Sequence, residues 1–438
     1  MMREPLSLLE KRVLVLGLGD TGLSVARWVE RQGGRVRAAD TRGSPPRAGD
    51  YKGELHTGPF GSALLEGVDL LCISPGLSLD QPLVQEARAR GVPVLGDVEL
   101  FARHVRAKVL AVTGTNGKST VTALTGHLLR AAGLDCEVAG NIAPPVLDAL
   151  LQRSSAPAAW VLELSSYQLE TTGSLEPHAA AMLNLSEDHL DRYRGLDEYA
   201  AAKARIFAGA GVQVLNRDDA RSMGMARAGR PVVSFGLDVP PGDRDFGLVG
   251  GWLAEGATRF MRLEELPIHG LHNAANALAA LALARSLGVP HERLREGLRS
   301  FRGLPHRLQL IARRSQVDWY DDSKGTNVGA TIAALRGLGR KTVLILGGEG
   351  KGQDFTPLRE PVRRFATHVL LIGRDAPLIE KVVPGERCAS LEEAVEKAAR
   401  IARPGEAVLL SPACASFDMF RDYRHRGETF AAAVARLA

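Results

Sequence analysis

Short apolar runs, four or five residues long, alternate with stretches of helical periodicity from one end of the chain to the other. Runs of that length bounded by glycine predict buried parallel strands, and the periodic stretches between them predict the helices that carry the chain back across a sheet. The predicted fold class is therefore α/β, with three domains, each a mainly parallel sheet flanked by helices. Three strands run into glycine-rich turns: 12–16 into Gly17-Leu18-Gly19-Asp20-Thr21-Gly22, 109–112 into Thr113-Gly114-Thr115-Asn116-Gly117-Lys118-Ser119-Thr120, and 342–346 into Gly347-Gly348. Each reads as the first strand of a nucleotide-type fold, so the chain divides at 1–106, 107–304 and 305–438. The first and third units are Rossmann-like and the middle one is of the phosphate-loop type. The stretch 227–257, rich in Gly, Pro and charge, reads as loops and edge strands.

The turn Gly114–Thr120 carries the sharpest chemistry. Its glycines let the backbone close around phosphate oxygens, and the helix that follows turns its positive end to the same anion. Lys118 would reach the β- and γ-phosphates, and the Ser119 or Thr120 hydroxyl would hold Mg²⁺. The loop is shorter than the general G-x-x-x-x-G-K-[ST] pattern. A second strand, Trp160-Val161-Leu162-Glu163, ends in a carboxylate at the edge where ligands bind parallel sheets, so Glu163 is a candidate Mg²⁺ ligand. A third, 179–183, leads into Asn184-Leu185-Ser186-Glu187-Asp188-His189, where His189 is a candidate metal ligand or donor to an anionic substrate.

Composition narrows the partners. Of 438 residues 45% are apolar and 5% aromatic, so cores must be built from Leu, Val, Ile and Ala. The net charge of +5 comes from scattered arginines without a basic run, which suits small anionic substrates better than nucleic acid. Four widely spaced cysteines fit neither a metal site nor a disulfide framework. No apolar run approaches the roughly 18 residues of a membrane span. The expectation is a cytoplasmic monomer acting on small molecules, with no nucleic-acid or membrane partner.

Gly114–Thr120, Glu163-Leu164-Ser165-Ser166, Asn184–His189 and Leu271-His272-Asn273-Ala274-Ala275-Asn276 follow one another as in the Mur ligases, and the short phosphate loop is the form that family uses. Asp40-Thr41-Arg42, Ser74-Pro75-Gly76, Gly140-Asn141-Ile142, Gly303–Arg307, Asp322–Asn327, Gly347–Phe355 and Ser411–Asp418 resemble its D-glutamate-adding branch. The resemblance spans essentially the whole chain. Gly325 and Glu349 stand where that branch has alanine and aspartate.

The resemblance implies an ADP-forming ligase of peptidoglycan biosynthesis that adds D-glutamate to UDP-N-acetylmuramoyl-L-alanine through an acyl phosphate. ATP and Mg²⁺ are its implied cofactors. Lys203, in an alanine-rich helical stretch where composition alone reads a solvated lysine, is implied to carry a CO₂-derived carbamate that assists the metal. Lys118, His189, Lys203 and Glu163 form the implied catalytic set. Asn273 and Asn276, spaced to share one helix face, would contact adenine, although Asn273 also reads as a helix cap. Arg307 would reach ATP when the last domain closes, and Asp322 is a ribose or hinge contact. Lys324, Thr326, Lys351, Ser416 and Tyr423 would hold D-glutamate. Asp20, Thr21, Thr41, Arg42, Ser74, Pro75, Gly76 and Asn141 would hold the UDP substrate.

Three rivals remain. The first strand and turn, with Asp40 about 20 residues on, come close to a dinucleotide fingerprint and hence a dehydrogenase. A folylpolyglutamate synthase or another amino-acid-adding Mur ligase shares the middle domain. The third is a non-enzymatic binding module.

Overall fold

A computed structural model describes residues 6–188 and 192–437. Its first sheet contains β1 (Arg12–Leu16), β2 (Arg35–Asp40), β3 (Glu54–Thr57), β4 (Leu70–Ile73) and β5 (Val94–Leu95). All are parallel, in the order β3-β2-β1-β4-β5. The central sheet contains β6 (Lys108–Thr113), β7 (Cys136–Gly140), β8 (Ala159–Glu163), β9 (Ala179–Met182), β10 (Val212–Asn216), β11 (Val232–Phe235), β12 (Phe246–Val249), β13 (Trp252–Glu255) and β14 (Thr258–Arg262). Its order is β14-β13-β12-β11-β10-β9-β6-β8-β7, and only the β12–β13 and β13–β14 pairs are antiparallel. The third sheet contains β15 (Gln309–Arg314), β16 (Val317–Asp321), β17 (Thr342–Gly347), β18 (Ala366–Ile372), β19 (Glu386–Arg387) and β20 (Ala407–Leu410). Its order is β15-β16-β20-β17-β18-β19, with β15 alone running antiparallel.

The three glycine turns each follow a first strand of their sheet or, for β17, an interior strand. Stretch 227–257 supplies β11 to β13, on the outer half of the central sheet. The helix Leu271–Ser286 is buried on nearly every side from Asn273 to Ala284. Its alanines are what let it lie in the middle of the central core.

The first and central domains share one core. Leu8, Val29 and Phe101 from the first domain pack in the same cluster as Leu147, Trp160 and Leu162 from the second. Phe101 and Trp160 meet edge-to-face at 4.9 Å. The helix Asp97–His104 adds a polar joint: one Glu99 oxygen accepts the Gly173 and Ser174 backbone N–H groups at 2.7 and 2.8 Å. The other accepts the Ser174 hydroxyl and Arg103 Nε. The third domain keeps its own cores, with Leu344 and Leu346 on one face of its sheet and Val343 and Ile345 on the other. Among the described residues no helix is long and apolar enough to cross a membrane.

Candidate active site

Sheet register brings the candidate residues of the central domain to one edge. Val112 pairs with both Glu163 and Ala181, so the turns after β6, β8 and β9 emerge side by side. Gly114 and Gly117 have φ of 153° and 85°, a region L side chains avoid. A Cβ at Gly117 would lie 2.4 Å from Asn276 Oδ1, and one at Gly114 would lie 2.9 Å from Leu183 Cβ. The turn is clasped by Asn184, whose Oδ1 accepts the Asn116 N–H at 2.8 Å and whose Nδ2 donates to the Asn116 carbonyl at 3.1 Å. Lys118, first in the helix Lys118–Ala131, folds its ammonium onto the Gly114 and Thr115 carbonyls at 3.0 and 2.9 Å. Burial lowers its pKa.

Glu163 is 2% exposed. Its Oε1 accepts Asn141 Nδ2 at 2.6 Å, while its Oε2 is buried without a hydrogen-bond partner among the described residues. A buried carboxylate oxygen left over beside a phosphate loop fits a divalent cation. Among the described residues no three His, Cys, Asp or Glu side chains gather. Mg²⁺ needs no such cage, because phosphates, hydroxyls and water complete its shell.

Lys203 is not solvated. It is 1% exposed, donates to the Gly114 carbonyl at 2.8 Å and lies 4.5 Å from the centre of the Tyr199 ring, one helical turn before it. Burial, then the Lys118 charge, drives its pKa well below the usual lysine value.

The third domain closes over this edge. Arg307 Nη2 donates to Ser119 Oγ at 2.6 Å. Its neighbours His306 and Leu308 both have left-handed φ, 61° and 47°. The strain is held by His306 Nδ1 against Asp321 Oδ2 at 2.7 Å and by the Leu308 N–H on Asp322 Oδ1 at 3.1 Å. Asp322 also accepts Ser411 Oγ at 2.7 Å, and burial pushes its pKa up to about 7. Between the two domains lies a cavity of about 460 Å³ lined by Asn116, Gly117, Thr120, Asn273, Asn276, Asp322 and Lys324. That volume suits a nucleotide-sized ligand. Asn276 Nδ2 donates to Asn273 Oδ1 at 3.1 Å, so the pair does share a face. The cap of their helix, however, is Gly270; Asn273 sits in the first turn and donates to the His269 carbonyl.

Lys324 lies 3.9 Å from the centre of the Tyr423 ring, and burial lowers its pKa to about 8. Thr326 follows on the same segment, and its N–H donates to the Lys324 carbonyl. The buried Ser416 lies on the loop after β20. The buried Arg426 staples the parts together by donating to Ser323 and to the Cys414 and Ala415 carbonyls. Lys351 Nζ lies 6.0 Å from the centre of the Phe417 ring.

In the first domain Asp20, Thr41, Arg42, Ser74, Pro75 and Gly76 lie on the turns after β1, β2 and β4, and Thr21 follows Asp20 on the helix Asp20–Arg31. Ser74 Oγ donates to the Gly17 carbonyl at 2.7 Å, and Asp20 accepts from Arg47 at 2.6 Å. Asp40, the acid of the dinucleotide reading, spends its oxygens internally on the Leu18 N–H, the Arg42 N–H and the Arg42 guanidinium. The Arg42 hydrogen bond holds its pKa at about 2.

His189 lies outside the described residues. Sequence reasoning did not single out Asn184 as the clasp, Tyr199 or Arg426. Tyr199 carried a signal, its spacing of one turn from Lys203; Arg426 carried none that a surface arginine would lack.

A strand–loop–helix phosphate cradle faces a spare carboxylate and a buried lysine, with a third domain closing on it, and this defines a nucleotide-using group-transfer enzyme. Family profiles agree with the chain in order: "Mur ligase MurD-like, N-terminal domain" at residues 11–96, "Mur ligase middle domain" at 112–284 and "Mur ligase, glutamate ligase domain" at 306–414. The UDP-N-acetylmuramoylalanine--D-glutamate ligase of Nitrosospira multiformis is 56% identical, covering 97% of this chain and 95% of its own. That of Thiobacillus denitrificans is 56% identical over 99% and 98%. Among solved structures, the UDP-N-acetylmuramate-alanine ligase MurC of Thermotoga maritima aligns with TM-score 0.61 at 20% identity, covering 96% and 98% of the two chains. MurF of Acinetobacter baumannii aligns with TM-score 0.61 at 20% identity, covering 98% and 94%. The chain belongs to the Mur ligase family, ATP-dependent ligases of peptidoglycan synthesis.

Proposed function

We propose that this chain joins D-glutamate to UDP-N-acetylmuramoyl-L-alanine, forming an amide and releasing ADP and phosphate. The observation that carries the reading is a D-glutamate ligase likeness running through all three domains, laid over a site where Gly114–Thr120, Glu163, Lys203 and Arg307 come together. The nucleotide lies in the interdomain cavity, with its phosphates on Gly114–Thr120. The alanyl carboxylate, brought in by the first domain past Asn141, attacks the γ-phosphorus and ADP leaves. The amine of D-glutamate then attacks the acyl carbon and phosphate leaves. Lys118 and Arg307 surround the transferred group with positive charge, and most of the catalysis is positioning and neutralisation.

Glu163, the Ser119 and Thr120 hydroxyls and His189 would hold Mg²⁺, which neutralises charge on the phosphates when bound. Lys203 is suited to carbamylation because burial lowers the pKa of its ammonium and so favours the free amine that can add CO₂. Its nitrogen adds to CO₂ and loses a proton, turning a cation into an oxygen donor. Lys324, Thr326, Lys351, Ser416 and Tyr423 receive the two carboxylates of D-glutamate. The first-domain turns and Asn141 receive the UDP part. The enzyme works in the cytoplasm as a monomer.

The test is phosphate release with Mg-ATP and UDP-N-acetylmuramoyl-L-alanine in the presence of D-Glu, L-Glu, L-Ala or no amino acid. Release that requires both the nucleotide substrate and D-Glu supports the reading. Release with another amino acid moves the assignment within the family, and none with any pair overturns it.

A further inference from the structure

The third domain meets the phosphate loop through a second side chain besides Arg307. Asn327 caps the helix Val328–Leu338, its Oδ1 accepting the Ala330 N–H at 2.8 Å. The same amide reaches the central domain. Its Nδ2 donates to Asn116 Oδ1 at 3.2 Å and to Asp188 Oδ2 at 3.3 Å, and Asn116 Nδ2 returns a hydrogen bond to Asn327 Oδ1 at 3.4 Å. Asn327 is 6% exposed, so every polar atom of the amide is spent in this junction.

The fit around the amide is close. A Cβ at Gly329 would stand 3.1 Å from Ser186 Oγ and 3.4 Å from Asn116 Nδ2, so the helix start is seated on two loops of the central domain. Gln353 ties the same point to the rest of the third domain. Its Oε1 accepts the Val328 N–H at 3.0 Å and its Nε2 donates to the Ala413 carbonyl at 2.6 Å. Three loops therefore hang from one junction: the segment with Lys324 and Thr326, the loop with Lys351, and the loop with Ser416.

We infer that Asn327 is a positioning residue that latches the third domain to Asn116 of the phosphate loop, setting the amino-acid loops in register with the phosphoryl site. The inference rests on the ligase reading above for its kinetic consequence, but the latch itself is a matter of domain contact. A serine at 327 keeps the cap and is too short to reach Asn116. An aspartate keeps the cap and sets a carboxylate against Asp188. An alanine loses cap and latch together.

The experiment uses the full-length chain with donor and acceptor dyes at Arg244→Cys and Glu396→Cys, exposed positions of the central and third domains; the four native thiols are buried. Asn327→Ser should shift the energy-transfer distribution toward separated domains while leaving the melting temperature at the wild-type value. Asn327→Asp should shift it further, and Asn327→Ala should also lower the melting temperature. In turnover, Asn327→Ser should raise KM for the amino acid and lower kcat/KM roughly fivefold to tenfold, the worth of one or two neutral hydrogen bonds. In an Asn116→Ala background the same change should cost less than about twofold, because the partner is already gone. Wild-type energy transfer in Asn327→Ser, or effects of the two substitutions that multiply in full, would overturn the latch. If the wild-type chain turns over no amino acid while Asn327→Ser still separates the domains, the ligase reading falls and the latch stands.

Discussion

The guanidinium of Arg307 lies 2.6 Å from the hydroxyl of Ser119, a contact between residues 188 positions apart that joins the third domain to the phosphate loop. It puts a fixed positive charge beside the phosphate loop. Arg307→Ala should lower kcat on the order of 10² to 10³-fold, the usual loss for one preorganised charge-stabilising donor. Arg307→Lys should recover little, because an ammonium cannot reproduce the planar fork. Steady-state phosphate release would show this; a lysine variant at wild-type rate would refute it.

Glu163 holds a buried oxygen with no hydrogen-bond partner among the described residues. Glu163→Gln keeps the Asn141 hydrogen bond and removes the charge. Activity should fall on the order of 10²-fold with a raised Mg²⁺ requirement, while the melting temperature should change little, since the hydrogen bond to Asn141 survives. A Mg²⁺ titration of rate, paired with thermal melting, separates this from simple loss of fold.

Gly117 and Gly133 have nearly the same backbone, φ 85° and 82°, but only Gly117 has a neighbour in the way. Gly133→Ala should cost about 1–2 kcal/mol of stability and leave ATP affinity alone. Gly117→Ala should in addition push Asn276 aside and weaken ATP binding. Calorimetric titration of ATP against both variants tests the difference.

Asp97 is 1% exposed and accepts Gln168 Nε2 at 3.1 Å with one oxygen, while the other has no hydrogen-bond partner among the described residues. Burial pushes its pKa up to about 6 from 3.8. Below pH 4 both folded and unfolded forms are protonated and nothing is lost. Between pH 4 and 6 the unfolded chain releases its proton first, so the group's stabilising contribution is lost as pH rises, a total of about 3 kcal/mol. Asp97→Asn lacks that slope, so its stability relative to wild type should climb by about that amount from pH 4 to 7. Denaturant unfolding across this range would show it, and a flat difference would refute it.

Much of the fold was readable because the signals are local. Apolar runs and glycine turns marked β1, β6 and β17, and the carboxylate ending β8 marked Glu163. The resemblance then supplied residues that periodicity could not. Lys203 shows why: its helix is alanine-rich, so no apolar stripe says which side faces inward. The contacts of Arg307, Asn327 and Arg426 are set by how sheets meet, and no local pattern carries that. Asn273 was misjudged as a cap because Gly270, which has no side chain to bond with, holds that position instead.

The two joints of the central domain differ in kind. Opening the first would strip a carboxylate, Glu99, of the three donors it takes from the central domain and split a shared apolar core. Opening the second releases two amides, one contact to the Asp188 carboxylate and one arginine, all of which water can take over. The molecule is thus stiff on one side of its central sheet and compliant on the other. On the function proposed above, the nucleotide-sugar end belongs to the rigid frame, and the more weakly joined part is the one that brings in the amine.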